Sequence, residues 1–164
     1  MSTIVYRDGI MAGDGRAYTG NSAEIGSKAK IRRLSTGVLV GVSSQGPGTG
    51  ERLFAWLEQH LAKSDSFAAI DWEETSSLQN LGKFTMLAVV SDHVAYLFED
   101  NLFPSGPIKA PYYAIGSGRE YALGAMVIGC CAVDALRAAC KLDVWSDFPI
   151  TATKHDGFTW EPKA

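Results

Sequence analysis

The residues best suited to chemistry stand at the start of the chain. Ser2-Thr3-Ile4-Val5-Tyr6-Arg7 is followed by Asp8-Gly9 and then by Ile10-Met11-Ala12-Gly13-Asp14-Gly15. Asp8-Gly9 between apolar runs signals a type I′ hairpin, because both central residues of that turn need φ > 0. Folding there pairs Arg7 with Ile10, Tyr6 with Met11, Val5 with Ala12, Ile4 with Gly13, Thr3 with Asp14 and Ser2 with Gly15. A hydroxyl at the chain start is thereby brought beside a carboxylate. Serine is a weak nucleophile that needs an adjacent base, and a terminal amine, with an unperturbed pKa of about 7.7–8.0, accepts a proton near neutrality. The expectation is that Ser2, freed of Met1, is a nucleophile whose own α-amino group is the base.

The elements that must position this hairpin follow in order. Arg16–Ser27 reads as a polar connection without periodicity. Lys28–Leu34 alternates and reads as a half-buried strand, and Ser35-Thr36-Gly37 turns it into the apolar strand Val38–Val42. These four strands are expected to form one antiparallel sheet. Ser43–Gly50 is a loop whose glycines lack the Lys-Ser/Thr of a phosphate loop. Glu51–Lys63 is an amphipathic helix presenting Leu53, Phe54, Leu57 and Leu61, with His60 beside that face in a structural or exposed role. A short helix is expected over Phe67–Glu74.

Strands follow at Phe84–Val90 and Val94–Phe98, then a loop over Phe103–Pro111 and a short strand Tyr112–Ile115. Arg119–Cys131 and Val133–Leu142 read as helices, and Ile150–Thr153 with Phe158–Trp160 closes the chain as a hairpin. Met11, Met86 and Met126 belong to the core, and Tyr112, Tyr113, Trp145 and Trp160 to packing rather than to a cofactor box. This order of elements suits an α+β fold, a four-layer α/β/β/α sandwich of two antiparallel sheets flanked by helices.

With 164 residues, 46% of them hydrophobic, the chain is expected to be one domain over 1–164. A net charge of −3 with 20% charged residues argues against nucleic-acid and membrane partners. No segment reads as a signal peptide or a membrane span, and a cytoplasmic location is expected. The odd cysteine count, Cys130, Cys131 and Cys140, reads as buried free thiols in a reducing compartment. No metal and no cofactor is expected.

Five stretches carry a resemblance to a known family. Ser2-Thr3-Ile4-Val5, Ala12-Gly13-Asp14-Gly15, Lys30 before Ile31-Arg32-Arg33-Leu34, Ala114-Ile115-Gly116-Ser117-Gly118 and Asp143-Val144-Trp145-Ser146 resemble motifs of proteasome β-subunits. The nearest likeness is to the HslV-type peptidases, in the N-terminal-nucleophile (Ntn) hydrolase superfamily. The first hairpin is shorter than in those peptidases, yet shortening both arms equally keeps Ser2 opposite Gly15 and its side chain on the same face.

The resemblance implies roles residue by residue. Lys30 would disfavour protonation of the Ser2 amine and stabilise the developing alkoxide, and Asp14 would hold Lys30 in place. Ser117, Asp143 and Ser146 would form the network that positions the amine. Backbone N–H groups at Ser43-Ser44, with Ser44 the better match, would form the oxyanion hole. Ala17, Lys28 and Val42 would line the substrate pocket. It implies a threonine-type peptidase with an N-terminal serine, assembled into a homo-oligomeric ring, stacked rings or a helical array. Its substrates would be unfolded proteins or peptides, supplied by a separate AAA+ ATPase unfoldase. The residues themselves also admit plainer readings: Asp14 as a cap or salt bridge of a loop, Lys30 as one of several charges on an exposed strand face, Ser117 as a helix N-cap, and Asp143 with Ser146 as a helix-terminal turn. A catalytically silent assembly subunit and a non-peptidase amidohydrolase on the same fold remain alternatives.

Overall fold

Asp8 and Gly9 adopt φ of 50° and 77°, so the first turn forms as its dipeptide requires. It joins β1 (Thr3–Arg7) to β2 (Ile10–Asp14) in the expected register, from Arg7↔Ile10 to Ile4↔Gly13. The computed structural model describes residues 2–19, 23–63, 67 and 78–163. After β2 come β3 (Arg16–Thr19), β4 (Ala23–Ser27), β5 (Ile31–Arg33), β6 (Leu39–Ser44) and α1 (Thr49–Lys63). The chain continues through β7 (Phe84–Ser91), β8 (Val94–Phe98), β9 (Ser105–Ile108) and β10 (Tyr112–Gly116). It ends with α2 (Arg119–Val127), α3 (Ala132–Leu142), β11 (Ile150–Lys154) and β12 (Thr159–Trp160).

The strands form two five-stranded sheets, ordered β10-β1-β2-β11-β12 and β5-β6-β7-β8-β9, and a separate β3-β4 pair. Strand alternation divides the apolar side chains among three clusters. Ile4, Tyr6 and Met11 meet Leu39, Leu87 and Val89 of the second sheet. Val5 and Ala12, pointing the other way, meet Ala122 and Met126 of α2 and Leu136 of α3. On the far side of the second sheet, Val40, Val42 and Met86 pack under Leu53, Phe54 and Leu57 of α1. The uninterrupted apolar run of β6 follows from burial on both faces. Gly41 lets the sheets close, since a Cβ there would lie 2.5 Å from Ile4 Cγ2.

Several expectations are corrected. The first four expected strands do not share a sheet: β1 pairs with β10 and β2 with β11, whereas β6 pairs with β7. Turn signals report which neighbours pair, not which hairpins join. Arg16–Ser27 is the β3-β4 hairpin; Ile25 is 65% exposed, and with no buried face the segment shows no alternation. The strand expected over Lys28–Leu34 is confined to Ile31–Arg33. Ser43 and Ser44 extend β6 rather than opening a loop. The loop expected over Phe103–Pro111 contains β9, an exposed edge strand, where Pro107 is tolerated. The first of the two late helices ends at Val127, four residues short of Cys131; the Arg7 guanidinium donates to Met126 O in its last turn and to Cys130 O in the connection beyond. The three cysteines are free, but Cys131 is exposed and the others only half-buried. His60 is buried. Of the helix expected over Phe67–Glu74, all but Phe67 lies outside the described residues. Among the described residues no helix is long and apolar enough to cross a membrane.

Candidate active site

β1 lies between β2 and β10, and its first residues are pinned from both sides. The Thr3 N–H donates to Asp14 Oδ1 at 2.7 Å, and the Ser117 N–H donates to Ser2 O at 2.9 Å. Gly116, with φ of 94°, must be glycine, because a Cβ there would collide with the Ser2 carbonyl. Ser2 and Thr3 are both buried. Successive strand residues face opposite ways, and the two hydroxyls part accordingly.

The Thr3 hydroxyl enters a hydrogen-bonded chain. Its Oγ1 accepts from the Gly118 N–H at 3.0 Å and lies 2.7 Å from Ser146 Oγ. Ser146 Oγ and Ser117 Oγ both donate to Asp143 Oδ2, at 2.6 and 2.7 Å. Because the one Ser146 proton goes to Asp143, Thr3 is the donor to Ser146. Asp143 is the C-cap of α3, so helix and hairpin are tied together here.

Ser2 instead lines a cavity of about 630 Å³, and Lys30 lines it too. Lys30 donates to Asp14 Oδ2 at 2.7 Å, with 5% and 0% of the two side chains exposed. The backbone holds it there: the Lys28 N–H donates to Gly15 O at 2.8 Å and the Val42 N–H to Lys30 O at 3.0 Å. Burial pushes the Lys30 ammonium below its ordinary value, against the pull of Asp14. Burial likewise raises the Asp14 carboxyl, against Lys30 and the N–H donors of Thr3 and Asp147.

Ala17, Lys28, Val42 and Ser44 all line the same cavity. Lys28 meets Glu51, in the first turn of α1, at 3.1 Å, with both side chains about half exposed. Ser44 ends β6 opposite Phe84 and also borders a second cleft of about 420 Å³, shared with Ser117 and Gly116. The structure therefore divides the residues singled out in sequence. Ser2, Lys30, Ala17, Lys28, Val42 and Ser44 face the cavity; Asp14 backs Lys30; Ser117, Asp143 and Ser146 gather behind Thr3.

Sequence reading missed the Thr3 hydroxyl as the link to Ser146. The alternation of the strand was the available signal. It also missed Arg16, Phe54 and Glu51 on the cavity wall, which come from elements it had not placed together. Cys140 lies close enough to feel Asp14 and Lys30, and burial first, then the Asp14 and Asp147 carboxylates, raise its thiol to about 12. Among the described residues no cluster of three His, Cys, Asp or Glu is placed to hold a metal.

No protein-family model matches the chain. Solved structures do. HslV from Trypanosoma brucei superposes with a TM-score of 0.65 at 19% identity, covering 94% of this chain and 99% of that one. Thiobacillus denitrificans BPH gives 0.64 at 20% identity over 99% and 98% of the two chains. BPH in complex with epoxomicin gives 0.61 at 20% identity, covering 99% of each. At this identity the likeness is one of fold, and the chain has the HslV-type fold.

Proposed function

We propose that this chain is an Ntn peptidase of the proteasome/HslV type, a single domain over 1–164 with α/β/β/α layering, in which Ser2 is the nucleophile after Met1 is removed. The observation that carries the reading is the parting of the two hydroxyls. Ser2 shares a cavity with Lys30, itself 2.7 Å from Asp14, while Thr3 is committed to Ser146 and Gly118. The HslV-type fold and the epoxomicin complex of BPH support it.

In this reading the α-amine of Ser2 takes the Oγ proton as Oγ attacks the scissile carbonyl carbon. The Lys30 ammonium favours the neutral amine and the developing negative charge. Backbone N–H groups around Ser44 receive the oxyanion. The amine then hands its proton to the departing nitrogen as the C–N bond breaks, leaving a Ser2 ester that water hydrolyses by the same route. Ser117, Asp143 and Ser146 position the amine through the Thr3 network, and Ala17, Lys28 and Val42 take the acyl-side residue.

Further copies of the chain complete the assembly, a ring, stacked rings or an open array, with unfolded substrate delivered by a separate ATPase in the cytoplasm. Val127, Ile128, Leu142 and Val144, between 60% and 82% exposed, give such an assembly apolar surface to cover.

The test combines intact-mass measurement, a β-lactone probe and peptide hydrolysis by wild type and Ser2→Ala. The expected result is loss of Met1, one adduct at Ser2 and hydrolysis that vanishes in Ser2→Ala. A Met1-bearing protein inert to the probe, or turnover unchanged in Ser2→Ala, refutes the reading. Turnover of small amides without any peptide cleavage would assign a non-peptidase amidohydrolase instead.

A further inference from the structure

Beyond Ser2 the cavity does not end. Ser44 and Gln45 are shared between the 630 Å³ cavity and the 420 Å³ cleft, and Gly116 and Arg119 continue from that cleft into a third hollow of about 310 Å³. The third hollow runs the length of β10, from Gly116 to Tyr112. Its walls are Arg119 and Leu123 of α2 on one side, and Leu97 of β8 with Ile108 of β9 on the other.

β10 ends its sheet, and among the described residues no strand pairs with its outer edge. Which backbone groups face that edge follows from register. Thr3 lies opposite Gly116, and the Ser117 N–H donates to Ser2 O, so Ser2 and Ser117 form a hydrogen-bonded pair one step beyond. Hydrogen-bonded and non-bonded pairs alternate in an antiparallel ladder. Ile115 and Tyr113 therefore bond inward to Ile4 and Tyr6, while Gly116, Ala114 and Tyr112 turn their N–H and C=O groups outward into the hollow. An edge of this kind accepts an extended peptide by strand addition.

We infer that the outer edge of β10 binds the leaving half of a polypeptide substrate as an added strand, seating about four residues beyond the scissile bond. The inference rests on Ser2 being the nucleophile. The occupant is named by continuity: the hollow opens from the cleft that shares Ser44 and Gln45 with the Ser2 cavity, and none of Ala17, Lys28 and Val42 lines that cleft. Backbone pairing makes the site tolerant of sequence, and the wall of Leu97 and Ile108 favours an apolar side chain facing the second sheet. The substrate class is thus an extended polypeptide, not a small amide with a minimal leaving group.

The experiment compares two peptides with the same acyl half, one with a single leaving-side residue and one with five, cleaved by the whole protein. The longer peptide is expected to have a kcat/KM higher by about tenfold or more. Arg119→Glu and Ile108→Lys, both at exposed positions on opposite walls, should bring it down toward the short peptide. N-methylation of alternate leaving-side amides should do the same in the unaltered protein. Equal rates for the two peptides, or a gain that survives both substitutions and N-methylation, overturns the inference while leaving Ser2 catalysis standing. Absence of both cleavage and the Ser2 lactone adduct removes the peptidase reading, and this inference with it.

Discussion

Lys30 and Asp14 form an ion pair closed off from water, 2.7 Å apart with at most 5% of either side chain exposed. Lys30→Met leaves the Asp14 carboxylate buried, with the backbone N–H groups of Thr3 and Asp147 as donors but no positive partner. Removing one member of a buried pair costs about 3–5 kcal/mol, because the remaining charge keeps its desolvation penalty. Asp14→Asn strands the Lys30 ammonium in the same way, although an amide oxygen still accepts from Thr3. The double substitution Lys30→Met/Asp14→Asn removes both charges together, and should cost less than the sum of the singles by about 2–3 kcal/mol. Urea unfolding of the four proteins reads this cycle. Activity separates the pair's chemical role from its structural one: all three variants should lose about a hundred- to a thousandfold in kcat, the scale of one removed electrostatic stabiliser. Additive singles, each under about 1 kcal/mol, would mean the pair is effectively exposed. A double variant that regains both stability and turnover would show that Lys30 acts only in the fold.

Other expectations follow from the same geometry. Thr3→Val, nearly isosteric, leaves the Gly118 N–H without its acceptor and the Ser146 oxygen without its donor and should cost about 1–3 kcal/mol in urea unfolding, with a fall in turnover. Gly116→Ala places a methyl against the Ser2 carbonyl at a φ of 94°, costing about 1–3 kcal/mol for the backbone alone and displacing Ser2, so lactone labelling should fail even where the protein remains folded. Cys140 retains its proton in the folded state up to about 12, against 9.0 for an ordinary thiol. Its contribution to stability is complete below pH 9.0 and lost progressively toward pH 12, because the unfolded chain ionises first. Urea midpoints across that range should fall more steeply for wild type than for Cys140→Ala.

What the amino-acid sequence determined by itself is what neighbours in the chain decide. The Asp8-Gly9 turn and the lengths of its arms set which residues of β1 and β2 oppose one another, since a hairpin's register is a local property. The apolar face of α1 and the paired helices after Gly118 were legible for the same reason. Tertiary structure alone decided which hairpins share a sheet, because strand pairing across the chain is chosen by side-chain packing over long separations rather than by turn chemistry. It alone made β3, β4 and β9 strands, whose exposed faces carry no hydrophobic period. The site divides along the same line. Thr3 bonded through its N–H to Asp14 belongs to the hairpin and is readable from spacing. Thr3 bound to Ser146, and the open edge of β10 beside Ser2, join residues more than a hundred positions apart, and only the closure of α3 and β10 around the first strand brings them together.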